Sequence, residues 1–263
     1  MELNKVYNMD CLIGMQDIED KSVDMILCDL PYQTTANKWD FIVPFEPLWE
    51  HIKRVCKDNA NIILTSDGIF TAKLIMSNEK WFKYKMVWDK KHTSDFLNAK
   101  RRPLRQHEDI CVFNNGVGIY NPIMRKGKMR EKGNKSKVDS GSGCYGATKD
   151  QESKINDDYY PTSIIQVSNA NQNDKIHSTQ KPTELFEYLI KTYSNENDLI
   201  LDMTIGSGTT AIACLNTKRN YIGFEMDKDY FDKATKRIKE HKDALDCNVG
   251  LFSEELHQQL SLF

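Results

Sequence analysis

The sequence predicts an α/β fold in which helices flank a mainly parallel sheet, with one irregular segment inserted between two halves. Short apolar runs with the length of buried strands alternate along the chain with segments of helical periodicity. Two of these runs end abruptly at an aspartate, as strands do at the ligand-binding edge of an open parallel sheet. Between the halves, residues 114 to about 164 are polar and follow neither period. Together these features indicate a layered α/β domain.

The first half carries five predicted strands and three predicted helices. The strand over residues 23–28 is almost continuously apolar, as expected for a strand buried on both faces of a sheet. The helix over residues 45–55 places Leu48, Ile52 and Val55 on one face. In chain order, the predicted elements are strand 5–9, helix 11–18, strand 23–28, helix 45–55, strand 61–65, helix 68–77, strand 84–88 and strand 109–113.

The second half follows a polar segment that is rich in Gly, Ser, Lys and Asn, and whose Ser-Gly-Ser-Gly run at 140–143 predicts a loop. Periodicity then returns as helix 182–193, strand 198–201, helix 209–216, strand 221–224 and a charged helix 229–243. We therefore divide the chain into a first part (1–113), an insertion (114–165), a second part (166–245) and a C-terminal tail (246–263).

Composition limits the classes of function. The 263 residues include 36 Lys and Arg against 38 Asp and Glu, so the formal net charge is −2 and a uniformly basic surface is excluded. The longest apolar runs are far shorter than the roughly 20 residues of a membrane helix, and residues 1–5 lack the pattern of an export signal. Seven scattered cysteines without C-x-x-C spacing predict reduced thiols, a cytoplasmic location and no metal site.

A glycine-containing turn lies between the first strand of the second half and the next helix. The run over residues 202–211 supplies Gly206, Ser207 and Gly208, whose small size lets the backbone turn sharply and approach a ligand closely. Glu225 ends the following strand, where a carboxylate can accept hydrogen bonds from ribose hydroxyls. This arrangement favours a nucleoside-containing cofactor over an ordinary tight turn.

The same turn also fits the dinucleotide pattern G-x-G-x-x-A, which is typical of nicotinamide dehydrogenases. Only one predicted strand and one predicted helix follow it before a polar tail, so a dinucleotide-binding domain that began here would lack most of its sheet. The missing strands must lie upstream. This order implies a permuted Rossmann-like sheet and argues against a dehydrogenase.

A second turn, Asp29-Leu30-Pro31-Tyr32, follows the apolar strand at 23–28. Pro31 fixes the local backbone and directs the preceding carbonyl outward. Asp29 and that carbonyl can accept hydrogen bonds from an amino group, while Tyr32 offers a flat face to a nucleobase. The alternative is a plain strand-ending turn with a solvent-facing tyrosine.

Together the two turns resemble those of S-adenosylmethionine-dependent DNA amino-methyltransferases of the β group, in which a D-P-P-Y-type motif comes first and the cofactor loop last. The similarity extends from about residue 5 to about residue 239, and it is strongest to stand-alone N6-adenine methylases of phages and mobile elements. Residues 177–182 match the family's H-P-T-Q-K-P motif, and Asp10-Cys11 matches its D-C pair. The resemblance implies a permuted Rossmann-like methyltransferase fold with S-adenosylmethionine as its cofactor.

The resemblance also assigns roles along the chain. It makes 1–113 the catalytic part, 114–165 the target-recognition insertion and 166–245 the cofactor-binding part. The implied catalytic residues are Asp29, Leu30, Pro31 and Tyr32, with Leu30 in place of the family's first Pro. The implied cofactor-binding residues are Asp10, Cys11, Asp29, Thr179, Lys181, Asp202, Gly206, Ser207, Gly208, Thr209, Thr210 and Glu225.

One departure from the family pattern concerns the cofactor loop. Met203 and Thr204 replace the family's Pro and Phe, which puts in question the loop contact made by that aromatic side chain. The Gly-Ser-Gly turn itself is intact.

The implied reaction is direct transfer of a methyl group to N6 of an adenine that has been flipped out of the duplex. It requires the two turns to meet at one edge of a single sheet, with room for a nucleobase between them. The family's N4-cytosine members usually have Ser where this chain has Asp29, which favours adenine. An N4-cytosine DNA methyltransferase, an RNA methyltransferase and a catalytically inactive nucleic-acid-binding relative remain alternatives.

Two basic stretches on or beside the irregular segment are candidates for contact with DNA, which we expect to be double-stranded. Phosphate neutralisation by such clusters gives salt-dependent affinity, although charge runs often serve only as solvated surface. The predicted nucleic-acid-binding residues are Asn37, Trp39, Lys100, Arg101, Arg102, Arg105, Arg125, Lys126, Lys128 and Arg130. The patterns leave open the recognition sequence, the oligomeric state (a homodimer included) and the existence of a partner restriction nuclease.

Overall fold

The computed structural model describes residues 1–33, 42–129, 156–170, 176 and 180–260, with side chains described as far as residue 247. Its strands are β1 (Lys5–Tyr7), β2 (Val23–Cys28), β3 (Cys56–Ser66), β4 (Phe82–Ser94), β5 (Arg105–Phe113), β6 (Arg125–Lys126), β7 (Asp158–Tyr159), β8 (Ile164–Gln166), β9 (Leu199–Asp202) and β10 (Asn220–Phe224). Its α-helices are α1 (Cys11–Gly14), α2 (Phe45–Val55), α3 (Gly68–Ser77), α4 (Thr183–Tyr193), α5 (Thr209–Thr217) and α6 (Lys228–Leu260).

Each predicted element has a counterpart, and β2, α2 and α3 have the predicted bounds. The helix predicted over 11–18 ends at Gly14 and continues as the 3-10 helix Met15–Asp17. Strands β3, β4 and β5 are longer than the predicted apolar runs because their polar ends pair with neighbouring strands, as Ser94 does with Arg105. Helix α6 continues beyond the predicted end at residue 243.

Eight strands form one sheet in the order β1-β10-β9-β2-β3-β5-β4-β8. Among these strands β5 alone runs antiparallel to its neighbours, so the predicted mainly parallel sheet is confirmed. Strands β2 and β9, which lie far apart in the sequence, are parallel neighbours with Ile26 opposite Leu201. The carboxyl ends of both strands therefore reach the same edge of the sheet, where open α/β sheets bind ligands.

Helices cover both faces of the sheet, which explains the apolar character of its central strands. Alternate residues of β2 enter different cores: Ile26 packs with residues of α2 and α3, while Met25 and Leu27 pack with residues of α4 and α5. Successive side chains of a strand point to opposite faces, so a strand covered on both sides must be apolar throughout. The apolar run of β2 is continuous because both faces of the strand are buried.

The chain divides into two compact units, one formed by residues 1–121 with 163–263 and a smaller one formed by 122–162. The smaller unit lies within the predicted insertion at 114–165. Its described part contains the antiparallel pair β6 and β7, in which Arg125 lies opposite Tyr159. Within the described residues, no helix has the length and apolar character needed to cross a membrane.

Candidate functional site

The two turns identified in the sequence meet at the carboxyl edge of the sheet. Asp29 follows β2 and Thr204 follows β9, and the two strands are adjacent. The Thr204 hydroxyl donates a hydrogen bond to the Asp29 backbone carbonyl at 3.0 Å, and it lies 3.1 Å from the Cys28 sulfur. The sequence predicted that these turns would meet at one edge of one sheet, and the strand order brings them there.

A cavity of about 450 Å³ opens between the turns. Its volume lies in the roughly 300–1,000 Å³ range of small-molecule sites. Of the predicted catalytic and cofactor residues that the structure describes, Gly208 alone is not on the cavity wall. The predicted residues that line it are Asp10, Cys11, Asp29, Leu30, Pro31, Tyr32, Lys181, Asp202, Gly206, Ser207, Thr209, Thr210 and Glu225. Predicted residue Thr179 lies outside the described residues.

The glycine turn depends on glycine for its shape. Gly206 and Gly208 have φ angles of +51° and +79°, a region that L side chains rarely adopt. A Cβ on Gly208 would also come within 2.9 Å of Ile238 Cδ1 on α6, so the end of that side chain would have to shift. From α6, Arg237 donates a hydrogen bond to the Ser207 carbonyl at 2.9 Å and holds the turn in place.

The carboxylate of Asp202 accepts hydrogen bonds from within the turn and from the helix that follows it. One oxygen accepts a hydrogen bond from the Thr204 backbone N–H at 3.1 Å, and the other accepts one from the Thr210 hydroxyl. Burial raises the pKa of Asp202 to about 7, against the lowering effect of these hydrogen bonds. The carboxyl group therefore gains a proton within the neutral pH range, and it braces the strand-to-helix connection.

Two further carboxylates stand on the cavity wall. Glu225 accepts hydrogen bonds from the backbone N–H groups of Gly206 at 3.0 Å and Asp227 at 2.8 Å, and burial raises its pKa. Asp10 caps helix α1 by accepting a hydrogen bond from the Leu12 N–H at 2.7 Å. A carboxylate offers about four acceptor positions, so both groups keep acceptor capacity for a ligand.

Among the described residues, three hydrogen-bond donors surround Asp29. The hydroxyls of Tyr32, at 2.6 Å, and Thr65 donate to its Oδ1, and Lys181 Nζ lies 2.8 Å from Oδ2. The Tyr32 ring packs against Phe70 with 4.9 Å between the ring centroids. Burial, followed by the nearby negative charges, raises the pKa of Tyr32 well above its usual value, so its hydroxyl stays a donor.

Lys181 joins Asp29 to a buried chain of alternating charges. Its Nζ lies 3.1 Å from Glu108 Oε2, and Glu108 Oε1 lies 3.1 Å from Lys90 Nζ. Burial alone would lower the pKa of Lys181, but the attraction of Asp29 and Glu108 outweighs it and raises that pKa. For Glu108, burial opposes ionisation, and the two lysines outweigh it and lower the pKa. Lys181 and Glu108 are therefore both held in their charged forms.

The position of Lys181 extends its predicted role. The family resemblance groups it with the cofactor-binding residues, yet its ammonium lies against Asp29. Its backbone carbonyl accepts a hydrogen bond from Thr209 at 3.4 Å, so the main chain does contact the glycine turn. Lys181 thus links the glycine turn to Asp29: its backbone contacts the turn and its side chain contacts Asp29.

Sequence reasoning missed the parts that Thr65, Lys90 and Glu108 play in the polar network of Asp29. Thr65 stands near the end of β3, next to β2, and its position after an apolar run was a usable signal. Lys90 and Glu108 lie on β4 and β5, among residues that resemble an exposed strand end. Nothing local distinguishes them from surface charges.

The predicted DNA-contacting residues fall in separate places. Lys100, Arg101 and Arg102 lie on the loop between β4 and β5, while Arg105 lines the cavity and pairs with Asp67. Arg125, Lys126 and Lys128 belong to the smaller unit, where Lys126 forms ion pairs with two aspartates at 3.0 and 2.8 Å. Asn37, Trp39 and Arg130 lie outside the described residues. Within the described ranges, no group of three or more His, Cys, Asp or Glu could hold a metal ion.

Comparison with known proteins gives a consistent picture. Residues 23–236 match the N6_N4_Mtase family model, which is described as DNA methylase. The chain is 30% identical over 273 residues to type II methyltransferase M.HinfI of Haemophilus influenzae, an alignment that covers 91% of this chain and 69% of that protein. It is 26% identical over 260 residues to type II methyltransferase M1.MboII of Moraxella bovis, covering 89% and 96% of the two chains.

Solved structures show the same fold. The crystal structure of the M1.HpyAVI–SAM complex is similar with a TM-score of 0.60 and 23% identity, covering 89% of this chain and 98% of that one. The PvuII DNA methyltransferase (cytosine-N4-specific) is similar with a TM-score of 0.64 and 14% identity, covering 91% and 90%. These likenesses confirm the predicted α/β architecture.

Proposed function

The chain belongs to the N6_N4_Mtase family of DNA methylases, and from this membership we propose that it methylates N6 of adenine at a specific DNA sequence. The observation that supports the proposal most directly is the junction of Asp29 with the glycine turn at one cavity. Direct methyl transfer requires the donor and acceptor to be held in line within a few ångströms. Asp29, which can accept a hydrogen bond from an amino group, lines the same cavity as the glycine turn.

The cavity residues fit S-adenosylmethionine, the cofactor of this family. The space beside Gly206 is open, since the nearest atom to a Cβ built there is the Thr204 carbonyl oxygen at 3.9 Å. In our proposal Glu225 accepts hydrogen bonds from the ribose hydroxyls, and Asp10 with Cys11 contacts the adenine of the cofactor. When bound, the cofactor supplies a methyl group on a positively charged sulfonium, which is the electrophile of the reaction.

Asp29 is proposed to activate the target amino group. The N6 lone pair of adenine is delocalised into the ring, so the nitrogen is a poor nucleophile. Within the part of the chain that the structure describes, Tyr32, Thr65 and Lys181 occupy three of the roughly four acceptor positions of the Asp29 carboxylate, which leaves one for an amino hydrogen. With the Leu30 carbonyl as second acceptor, these bonds favour a tetrahedral nitrogen whose lone pair points at the methyl group.

Asp29 also provides a place for the proton that methylation releases. Once the nitrogen has accepted the methyl group, it carries a positive charge and is a stronger acid than a carboxyl group. Asp29 can therefore accept the proton on its carboxylate, while Lys181 stabilises the negative charge beforehand. This step requires no covalent bond between the enzyme and the base.

Lys181 and Glu108 are proposed as positioning residues. Lys181 holds Asp29 Oδ2 at 2.8 Å, and Glu108 holds the Lys181 ammonium at 3.1 Å. Because the ammonium is anchored on both sides, the free lone pair of Asp29 has a fixed direction. Precise orientation of this kind supports transfer without moving the reacting atoms at the time of reaction.

Tyr32 is proposed as the stacking surface for the extruded base. Its hydroxyl is tied to Asp29 and one face of the ring packs on Phe70, so the orientation of the ring is fixed before the base arrives. Extrusion of a paired base requires a few kcal/mol. Stacking on an aromatic ring contributes roughly 1–3 kcal/mol and offsets part of that energy.

Adenine rather than cytosine is proposed because Asp29 stands where N4-cytosine members usually carry Ser. The fold does not separate the two bases, since the PvuII cytosine-N4-specific enzyme has a TM-score of 0.64 with this chain. We propose double-stranded DNA as the substrate, bound by the basic residues around the β4–β5 loop and by those of the smaller unit.

The test is a methylation assay with labelled S-adenosylmethionine and, in separate reactions, plasmid DNA and RNA, followed by digestion to nucleosides and mass spectrometry. We expect label in N6-methyladenine from the DNA. Label in N4-methylcytosine would overturn the choice of base, label only in the RNA reaction would overturn the substrate, and binding to DNA without label would indicate an inactive relative. The Asp29→Ala variant serves as the control for contaminating activity.

A further inference from the structure

A ten-residue loop, residues 95–104, rises from the rim of the cavity. It connects β4 to β5 and starts and ends at Ser94 and Arg105, which pair across the two strands and both line the cavity. The Ser94 hydroxyl donates to the Arg105 carbonyl at 3.3 Å and closes the base of the loop. We call residues 95–104 the rim loop.

The rim loop is braced by its own hydrogen bonds. Asp95 has a φ of +70°, a conformation uncommon for a residue other than glycine. Its carboxylate accepts hydrogen bonds from Asn98 Nδ2 and Arg102 Nε, each at 2.7 Å. The Asn98 carbonyl in turn accepts from the N–H of Arg101 at 2.8 Å. These hydrogen bonds hold the loop in a defined conformation.

Two adjacent apolar side chains are exposed near the start of the rim loop. Phe96 and Leu97 are 75% and 85% exposed at the start of the 3-10 helix Phe96–Asn98. A single exposed apolar residue is ordinary, but two neighbours presented by a braced loop are typical of a contact surface. The loop also carries Lys100, Arg101 and Arg102. Apolar side chains that lie among cations suit a partner that carries many negative charges and also presents apolar surface.

We infer that Phe96 and Leu97 form a wedge that enters the DNA duplex at the target and fills the space left by the extruded base. The inference rests on the proposed function and adds a residue-level account of how the base leaves the helix. Apolar side chains inserted between base steps unstack them, and the loop cations reach the adjacent phosphates. The cations favour DNA over a protein as the partner of this apolar pair.

The wedge has a specific energetic consequence. Its role is to offset the loss of pairing and stacking when the target base leaves the duplex, which amounts to a few kcal/mol. A target base without a pairing partner has already lost part of that energy. Removing the wedge should therefore slow methylation of a paired target and spare a target placed opposite an abasic site.

The experiment compares the double variant Phe96→Ala/Leu97→Ala with Val117→Ala on both duplexes, after the recognition sequence has been mapped on plasmid DNA. Val117 is a matched control because it is 90% exposed and follows the opposite end of β5. For the double variant we expect kcat/KM to fall about tenfold or more on the paired duplex and to change by less than about threefold on the abasic duplex. The control should change by less than about twofold on both.

The outcomes separate the wedge from the proposed function. An equal loss on both duplexes would mean that the two residues serve general binding, and no loss on the paired duplex would mean that they do not contact it; either result overturns the wedge. A wild-type chain that methylates no DNA would refute the proposed function and the wedge with it. Thermal unfolding of each variant checks that these exposed substitutions leave the fold intact.

Discussion

Asp29 and Asp202 occupy equivalent places in the sheet and have opposite surroundings. Asp29 follows β2 and Asp202 ends β9, and these two parallel strands are neighbours. Asp202 is 2% exposed, and burial raises its pKa to about 7 although its carboxylate accepts hydrogen bonds from uncharged donors. Asp29 keeps part of its side chain open to the cavity and has the Lys181 ammonium as a partner.

Position at the sheet edge therefore does not decide the role of a carboxylate. A buried carboxyl group with neutral donors behaves as a brace that can carry a proton, because desolvation disfavours its charged form. A carboxylate beside a cation keeps its negative charge and can accept an amino hydrogen. The charged partner, rather than the strand end, separates the two functions.

The largest effect is expected at Asp29. Asp29→Ala removes the acceptor for the amino group, so we expect methylation to fall by at least about 1,000-fold. Cofactor affinity, measured by isothermal titration calorimetry, should change little because the glycine turn and Glu225 are untouched. A parallel loss of methylation and cofactor binding would show that Asp29 supports the cofactor instead, and would break the contrast with Asp202.

Lys181 should come next, because its removal leaves the carboxylates of Asp29 and Glu108 without the cation that they share. For Lys181→Met we expect a loss on the order of 3 kcal/mol in unfolding free energy, together with a lower kcat. The second variant, Lys181→Met/Glu108→Gln, leaves one carboxylate (Asp29) and one ammonium (Lys90) in the network, so its formal charge is again balanced.

That double variant separates stability from positioning. We expect it to recover most of the unfolding free energy, measured by urea denaturation, while kcat stays low and KM for DNA stays close to the wild-type value. Recovery of kcat along with stability would mean that Lys181 is needed only for folding.

Asp202→Asn tests the other side of the comparison. A carboxyl group whose folded pKa is raised to about 7 contributes stability that is present below its unfolded pKa of roughly 4 and is lost as the pH rises through about 7. Asn resembles the protonated form at every pH. The variant should therefore match the wild type at pH 4 and exceed it in stability at pH 8, by on the order of 2 kcal/mol.

Thermal unfolding from pH 4 to pH 8 measures this difference. The wild-type curve contains other titrating groups, so the informative quantity is the difference between variant and wild type at each pH. If that difference does not depend on pH, folding leaves the pKa of Asp202 at its unfolded value, and the contrast with Asp29 is lost.

The smallest effect is expected at the glycine turn. Gly208→Ala places a Cβ at a φ of +79° and within 2.9 Å of Ile238 Cδ1, so we expect a loss of about 1–2 kcal/mol in unfolding free energy and weaker cofactor binding. Gly116→Ala is the matched control, since its nearest contact would be the Asp58 carbonyl oxygen at 3.8 Å. Equal stability of the two variants would show that the turn tolerates a side chain.

Local sequence was sufficient for the elements and turns whose shape depends on their own residues. The continuous apolar run of β2, the helical face of α2 and the two glycines of the cofactor turn are each visible within a dozen residues. Such patterns report burial and backbone preference, which act over short stretches of chain. The extended ends of β4 and β5 escaped prediction because their residues are polar and are held by pairing between strands.

Ion-pair partners could not be read from the sequence for a different reason. Glu108 lies 73 residues before Lys181 in the chain, yet the two side chains lie 3.1 Å apart. The pairing depends on β5 running antiparallel between β3 and β4, and no local pattern sets the direction of a strand. Charges in a strand end look the same whether they face solvent or a cavity.

The two turns follow from local sequence: an Asp, a Pro and a Tyr come after one buried strand, and a Gly-Ser-Gly connection comes after another. Backbone geometry at these sites follows from the residues present, because Pro restricts φ and Gly permits positive φ. The tertiary structure decided which carboxylate receives a cation and which is enclosed by neutral donors. Coulombic attraction and hydrogen bonding require contact, and only the order and direction of the strands bring the partners within a few ångströms of each other.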